Sequence, residues 1–190
     1  MTSETGHAHR GDVRFGVQAW LDGCSGPPDP DRSEADHEAI VRMMLLDELE
    51  RAPRSRAELR RRLARRLVPE DLAEQMLDRF AEVGLVDDAA FARAWVTSRQ
   101  SGRGLSRTAL SAELRRKGVG PDEIAAALTE IDAAEEEAAA ATLVRRRSRS
   151  MSRLDHQTRT RRLVGMLARK GYSQGLALRV VREVLAEEAD

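Results

Sequence analysis

The sequence T-A-L-S-A-E-L-R-R-K-G-V at residues 108–119 has two counterparts elsewhere in the chain. They are R-A-E-L-R-R-R-L-A-R-R-L-V at 56–68 and T-R-R-L-V-G-M-L-A-R-K-G-Y at 160–172. In each copy, two leucines four residues apart are followed by a pair of basic residues and then by an apolar residue. Leucines at this spacing lie on one face of a helix. The pattern therefore predicts one short amphipathic helix that is used three times.

Each copy of this helix belongs to a longer repeated unit. A turn follows each copy, and a second amphipathic helix begins near Pro69, Pro121 or Ser173. The copies are 51 and then 53 residues apart, which leaves room for a third helix in every unit. Such a unit is small, so neighbouring units must pack together to complete their cores. We therefore expect an elongated, curved, all-α protein. Its three tandem three-helix repeats are predicted at residues 37–86, 87–131 and 132–190.

Capping residues and glycines mark the ends of the predicted helices. S-R-A-E at 55–58 and D-A-A-E at 132–135 are capping-box sequences, which begin helices. Gly118 and Gly171 end two of the repeated helices, where a left-handed residue is needed and glycine adopts it without strain. Leu67 stands at the equivalent position of the first repeat, where that conformation costs a leucine roughly 1 kcal/mol. We therefore expect the turn of the first repeat to differ in geometry.

The composition excludes several classes of protein. Aromatic residues make up 3 % of the chain and charged residues 34 %, and the alternating β-formers of a sandwich or barrel are missing. There is no apolar run as long as the roughly 18 residues that a membrane-spanning helix requires. The N-terminus has no secretory signal pattern. We therefore expect a cytoplasmic protein that makes no contact with a membrane.

The first 36 residues differ from the rest of the chain. Glycine and proline cluster between Gly23 and Pro30, acidic residues are frequent, and the apolar residues show no helical period. A segment of this kind buries too little apolar surface to offset the entropy lost on ordering. Residues 1–36 are therefore predicted to be a disordered acidic tail.

Charge is unevenly distributed although the formal net charge is zero. Residues 51–70 hold eight arginines against two glutamates, and residues 145–170 hold nine arginines and one lysine against one aspartate. Residues 121–137 hold seven acids and no base. Because 30 of the 32 basic residues are arginine, which is typical of a codon bias, only their placement is informative. Separate basic and acidic zones favour binding to a polyanion or to a charged protein.

Sequence patterns of catalytic sites are missing. The chain has no phosphate-binding G-x-x-x-x-G-K-[ST], no G-x-S-x-G and no H-E-x-x-H. His7, His9 and Cys24 lack a further pair of ligands that would close a metal site. The G-R-G at 102–104, before a helix capped by Ser106, either approaches a phosphate or forms a flexible loop. We expect no enzymatic activity, no cofactor, no metal and no small-molecule substrate.

The candidate binding residues are the basic side chains in and around the three repeated helices. A helix macrodipole favours cations at a helix C-terminus whatever the function, so a merely solvated basic face is the alternative interpretation. The density of like charges nevertheless favours a partner that supplies phosphates or carboxylates, to which arginine binds as a fork. The candidates are Arg60, Arg61, Arg65, Arg66, Arg115, Arg116, Lys117, Arg145, Arg146, Arg149, Arg161, Arg162, Arg169 and Lys170.

Four blocks of sequence occur in a distinctive order. They are S-R-A-E-L-R-R-R-L at 55–63, F-A-E-V-G-L-V-D-D-A-A-F-A-R-A-W-V at 80–96, S-R-Q-S-G-R-G at 98–104 and A-E-L-R-R-K-G-V at 112–119. In this order they resemble the RecX family, the bacterial regulators of the recombinase RecA. The resemblance implies three tandem three-helix repeats and no enzymatic activity. It also implies binding to RecA and to the RecA–DNA filament, with suppression of strand exchange and of ATP hydrolysis by RecA.

Two other functions fit part of the sequence. Residues 55–86 imitate a winged-helix transcription regulator, with a capped helix, a turn and a second helix. A wing would next need a β-hairpin, whereas Asp87 and Asp88 open another helical pattern. A helical scaffold for another protein is the second alternative. Single- or double-stranded DNA, bound through the basic helices, is a predicted partner beside RecA.

Overall fold

The structure, a computed structural model, describes residues 34–129 and 131–188. Within these ranges the chain forms nine α-helices, one 3-10 turn at Arg149–Met151, and no β-strand. The helices are α1 (Glu34–Arg51), α2 (Arg56–Arg65), α3 (Glu70–Glu82), α4 (Asp88–Arg103), α5 (Arg107–Lys117), α6 (Pro121–Thr129), α7 (Ala133–Ser148), α8 (His156–Arg169) and α9 (Gln174–Glu187). The all-α prediction is confirmed for the described residues. None of the described helices combines the length and apolar character that a bilayer crossing needs.

The helices divide between two compact units, one ending at Asp87 and the other beginning at Asp88. The first unit contains α1–α3 and one apolar core. The second unit contains α4–α9 and two cores, one formed by α4–α6 and the other by α7–α9. Each predicted three-helix repeat therefore has its own core. Helix α1 begins at Glu34, within the predicted acidic tail, whose last residue was placed at 36. Residues 1–33 lie outside the described residues.

The repeated leucines form the centre of each core. All six are at most 2 % exposed: Leu59, Leu63, Leu110, Leu114, Leu163 and Leu167. The third helix of each repeat adds an aliphatic or aromatic face, represented by Phe80 in α3, Ile124 in α6 and Val184 in α9. Burying a side chain of this kind stabilises the fold by about 1.5–3 kcal/mol. The helical spacing of the leucines therefore reflects burial, as the sequence predicted.

The predicted caps are present. Ser55 accepts a hydrogen bond from the Glu58 amide at 3.2 Å, and the Glu58 carboxylate accepts one from the Ser55 amide at 3.3 Å. Asp132 and Glu135 form the same reciprocal box before α7. The Ser106 hydroxyl caps α5 by accepting from the Ala109 amide at 3.2 Å. Each cap satisfies backbone N–H groups that have no partner within the helix.

The turn after the second helix has the same hydrogen bond in all three repeats. Gly118 and Gly171 have φ angles of 82° and 87°, and Leu67 has a φ of 58°. The expectation that the first turn differs is therefore wrong, because Leu67 adopts the strained left-handed conformation itself. The following residue donates its amide to the second leucine's carbonyl at 3.2 Å: Val68 to Leu63, Val119 to Leu114 and Tyr172 to Leu167.

The winged-helix alternative is wrong for this part of the chain. Helix α4 begins at Asp88, where a wing would require the first strand of a hairpin. Gly84 has a left-handed φ of 72° and ends α3, and the buried Val86 links the turn to the core. The segment after the second helix therefore leads into another helix of a repeat.

Replacing Leu67 with glycine is expected to stabilise α2 and α3. Leu67 is 48 % exposed, so little packing is lost, and glycine relieves a left-handed conformation that costs an L-residue about 1 kcal/mol. Hydrogen exchange of the protected α2 and α3 amides should slow by about fivefold. Leu67→Ala is the matched control, since it removes the same exposed side chain but keeps the Cβ. Equal exchange in the two variants would contradict the strain argument.

Candidate nucleic-acid and protein interface

The basic residues of the first unit are partly committed to ion pairs within the unit. Arg60 and Arg56 both bind the Glu74 carboxylate, and the Arg56 Nη2 to Glu74 Oε2 distance is 2.8 Å. Hydrogen bonds from Arg60 first, and then from Arg56, lower the pKa of Glu74. Arg60 is thus both a surface cation and a link between α2 and α3. Arg61 and Arg65, which neighbour it on α2, are exposed.

Glu48 of α1 is the centre of a second charge cluster. Its side chain is only 5 % exposed, and Arg62 Nη1 lies 2.7 Å from Glu48 Oε2. Arg66 and Arg54 lie 3.8 Å and 3.9 Å from the same carboxylate. A buried carboxylate requires such counter-charges. Arg66, a candidate binding residue, therefore helps to neutralise Glu48 and joins α1 to the end of α2.

Lys117 at the end of α5 lies over aromatic rings of α4. Its ammonium is 4.0 Å from the centre of the Trp95 ring, and Arg99 lies 4.2 Å from the same ring. The Trp95 indole donates a hydrogen bond of 2.9 Å to Glu113. Helical spacing from the buried Phe91 predicts that Trp95 is buried as well, but Trp95 is only half-buried. Trp95 remains partly exposed because its indole N–H bonds to the Glu113 carboxylate and because two cations, Lys117 and Arg99, lie over its ring.

The second and third repeats meet closely at the end of α8. Ser106 donates its amide to the Lys170 carbonyl at 3.0 Å, and the Tyr172 hydroxyl donates to the Gly104 carbonyl at 3.2 Å. A Cβ at Gly171 would lie 2.6 Å from Ser106 Oγ and 2.7 Å from Ala109 Cβ. Gly171 is therefore required both by its left-handed φ and by the approach of α5.

The hypothesis of a phosphate at 102–104 is not supported by the structure. A Cβ at Gly104 would lie 2.7 Å from Leu143, so this glycine allows α7 to pack against the loop. The N-terminus of α5 already has anionic and polar partners. The Glu136 carboxylate accepts from the Arg107 amide at 2.9 Å, and the Ser106 hydroxyl accepts from the Ala109 amide. The loop is therefore explained by packing and capping.

Cations from both repeats gather beside Lys170. The Lys170 ammonium donates a hydrogen bond to the Arg103 carbonyl at the end of α4. Burial lowers the pKa of Lys170, and the positive charges of Arg146 and Arg103 lower it further. Lys170 thus stabilises the repeat junction through a backbone contact and increases its local positive charge.

A groove lies between the end of α7, the start of α8 and the end of α9; we call it the α7–α9 groove. Its volume is about 530 Å³, and its lining includes Arg145, Arg149, Arg159, Ser148, Glu187 and Glu188. Arg145 Nη2 lies 3.0 Å from Glu187 Oε2. Arg159 donates hydrogen bonds to Ser148 and Glu188. Two of the candidate residues, Arg145 and Arg149, thus share one groove.

The basic pair at the end of the second helix has the same division in every repeat. Its first member is exposed in all three: Arg65, Arg116 and Arg169. Its second member is less exposed and contacts another part of its own unit: Arg66 near Glu48, Lys117 over Trp95, and Lys170 at the Arg103 carbonyl. The macrodipole favours both positions equally, so it does not account for this division.

The remaining candidates are on the surface of the described region. They are Arg61, Arg115, Arg146, Arg149, Arg161 and Arg162, all exposed. Sequence reasoning left Arg99, Arg103 and Arg159 out of the candidate set, although each lies beside a candidate or in the groove. Arg99 follows Trp95 by four residues, which is a spacing that permits a cation–π contact. Arg103 and Arg159 had no comparable signal, since their neighbours come from distant sequence.

No group of acidic, histidine or cysteine side chains in residues 34–129 and 131–188 is arranged to hold a metal ion. His156, between Arg153 and Arg159 in sequence, is exposed at the start of α8. His7, His9 and Cys24, the other metal ligands considered, lie outside the described residues.

The chain matches three family models in order. They describe the first, second and third three-helix domains of RecX, and they match residues 46–80, 87–128 and 135–181. Regulatory protein RecX of Thermobifida fusca is 52 % identical over 167 residues, covering 88 % of this chain and 90 % of the relative. Regulatory protein RecX of Mycobacterium avium is 48 % identical over 164 residues, covering 86 % and 95 %.

Solved structures support the same fold. The crystal structure of RecX from Lactobacillus salivarius matches with a TM-score of 0.71. The match covers 79 % of this chain and 97 % of that one, at 18 % sequence identity. A second RecX regulatory protein structure matches with a TM-score of 0.68 at 23 % identity. At these identities the comparison establishes the arrangement of helices.

Gly171→Ala is expected to lower the free energy of unfolding by at least about 2 kcal/mol. The left-handed conformation alone costs roughly 1–2 kcal/mol, and the new Cβ would also contact Ser106 and Ala109 below van der Waals distance. Gly175→Ala is the control, because it lies in α9 with nothing within 4 Å of the added methyl group. That change should be neutral or stabilising by up to about 1 kcal/mol. Urea unfolding would compare the two variants, and equal midpoints would contradict the close approach.

Tyr172 is the single tyrosine of the chain and reports on the repeat junction. Burial, and then the negative charge of Glu136, raise the pKa of Tyr172 from 10.0 to about 12. The ultraviolet absorbance of tyrosinate should therefore appear near pH 12 in the native protein and near pH 10.0 in denaturant. Because the folded-state pKa is raised, this group lowers stability as the pH rises above 10.0. Ionisation near pH 10.0 with native circular dichroism would mean that Tyr172 is exposed.

Proposed function

Because this chain belongs to the RecX family of regulatory proteins, we propose that it binds RecA and the filament that RecA forms on DNA. We further propose that it inhibits ATP hydrolysis and strand exchange by RecA. The action is that of a non-enzymatic, cytoplasmic regulator, which occupies a surface and performs no chemistry. It holds neighbouring RecA subunits in an unproductive arrangement or excludes the second DNA molecule.

The exposed first member of each basic pair is the observation that supports this proposal best. Arg65, Arg116 and Arg169 occupy equivalent positions at the end of the second helix. One such cation in each repeat suits a partner that offers the same charge many times, as a nucleoprotein filament does. Arginine pairs with phosphate and carboxylate in a bidentate manner, so DNA and acidic protein surfaces both meet this chemistry.

The two members of each basic pair differ in what is left for a partner to bind. Helical geometry places the second member three residues after a buried leucine, on the side of the core, and leaves the first member exposed. In each repeat the second member contacts another part of its own unit, while the first is exposed at the surface and accessible to a partner. A helical scaffold for a protein other than RecA would use the same surface, and the experiment below distinguishes it.

The test is the rate of ATP hydrolysis by RecA on single-stranded DNA with increasing amounts of this protein. We expect inhibition at stoichiometric amounts or below. A variant with Arg65, Arg116 and Arg169 changed to Glu should lose most of the inhibition and keep its helical circular dichroism. Its control changes Arg42, Arg93 and Arg182 to Glu, which are also exposed, one in each repeat, and alter the net charge equally.

Salt dependence then separates DNA contacts from RecA contacts. Affinity for single-stranded DNA should fall linearly with log salt, with a slope of roughly 0.7 for each phosphate contacted. A variant that loses inhibition but keeps the slope has lost a protein contact. Full inhibition by the Arg65, Arg116 and Arg169 variant would mean that these arginines form only a solvated basic face. No inhibition by the unaltered protein would overturn the proposed function and favour a scaffold role.

A further inference from the structure

The α7–α9 groove contains a built site for an oxyanion. Ser148 is fully buried, and its hydroxyl donates a hydrogen bond of 2.8 Å to Glu188 Oε2. Arg159 Nη2 donates to the same carboxylate and to the Ser148 hydroxyl. A buried hydroxyl and a guanidinium thus hold a carboxylate that comes from the last turn of the described chain.

The Arg159 side chain retains an unused donor. Its Nε is buried and has no hydrogen-bond partner among the described residues. A guanidinium binds a phosphate or carboxylate best through two parallel N–H groups. The Glu188 carboxylate satisfies only the Nη2 side of this fork, so an anion with more oxygens has a further bond to gain.

A second carboxylate, that of Glu187, forms an exposed ion pair with the neighbouring Arg145. Arg145 and Glu187 are 3.0 Å apart, but their side chains are 50 % and 58 % exposed. Exposed ion pairs of this kind contribute about 0–1 kcal/mol and are readily exchanged. Arg149 lines the same groove, is exposed, and makes no ion pair with the described residues. One arginine is therefore available and another is easily released.

We propose that the α7–α9 groove is a binding site for DNA phosphodiesters, and that Glu187 and Glu188 occupy it in the free protein as internal competitors. DNA phosphates displace the two carboxylates from Arg145 and Arg159 and also engage Arg149. This inference rests on the proposed function only in that the protein meets DNA in the filament. Because the two carboxylates compete with phosphate, the protein binds DNA in the absence of RecA more weakly than three groove arginines would otherwise allow.

The lining of the groove favours a nucleic acid over an acidic protein. Arg145 and Arg149 are one turn apart on the same helix end, about 6 Å along its axis, which suits successive charges of a polyanion. Among the lining residues Val184 alone has an apolar side chain, and three arginines outnumber two glutamates. Protein interfaces have an apolar centre, whereas interfaces with DNA are polar and strongly positive.

The test compares two variants that lose the same negative charge. Glu187→Gln with Glu188→Gln keeps oxygen acceptors for Ser148 and Arg159 but removes the competing charges. The control is Asp122→Asn with Glu137→Gln: Asp122 is exposed on α6, and Glu137 pairs with Arg179 at 2.7 Å, as Glu187 pairs with Arg145. Fluorescence anisotropy would measure binding to a labelled single-stranded oligonucleotide at several salt concentrations, without RecA.

The groove variant should bind the oligonucleotide at least about fivefold more tightly at 0.1 M salt, because no competing carboxylate has to be displaced from the arginines. Its log affinity should depend on log salt with the slope of the unaltered protein, because the same phosphates are contacted in both complexes and only the competing carboxylates are removed. The control should keep the original slope. Adding Arg145→Gln and Arg149→Gln to the groove variant should remove the gain, while circular dichroism confirms that every variant is folded.

The opposite results overturn the proposal. Equal tightening in the groove and control variants, or a gain that survives loss of Arg145 and Arg149, would mean that only net charge changed. An unchanged affinity for DNA with tighter binding to RecA would assign the groove to an acidic protein surface. The ATPase assay tests the proposed function separately from the groove. If the unaltered protein inhibits RecA but the groove variant binds DNA no differently, this inference is rejected and the proposed function stands.

Discussion

The left-handed residue after the second helix of each repeat is the constraint on which the three cores depend. It reverses the chain so that the next residue, Val68, Val119 or Tyr172, returns its amide to the helix and its side chain to the core. The third helix then begins at the same distance from the leucines in every repeat. The first repeat keeps this geometry even with a leucine at φ 58°, which shows that packing of the third helix outweighs roughly 1 kcal/mol of strain.

Local features of the fold were predictable because they depend on residues close in sequence. The buried leucines follow from helical spacing, and the two capping boxes follow from their four-residue sequences. The prediction for the first turn is wrong, since the leucine's intrinsic preference opposes what the core requires. Helical spacing predicts too much burial for Trp95, because its partners Glu113 and Lys117 come from another helix and Arg99 from the next turn.

The sequence does not reveal which arginines form ion pairs with carboxylates that are distant in the chain. Nothing near Glu48 in the sequence indicates that Arg62, fourteen residues later, neutralises it in the core of the first unit. The same holds for Glu188 and Arg159, which are 29 residues apart. A list of arginines from sequence therefore mixes those that hold helices together with those that remain at the surface. The fold separates Arg66, beside Glu48, from the exposed Arg65.

The acidic residues at 121–137 also serve the fold. Asp132 and Glu135 cap α7, Glu136 accepts from the backbone of α5, and Glu137 pairs with Arg179. These carboxylates act within the second unit, where they satisfy helix ends and fix neighbouring helices. They are consequently tied to local donors. Counting charges along this block therefore does not reveal its role, since four of its seven acids serve helix ends and helix–helix contacts.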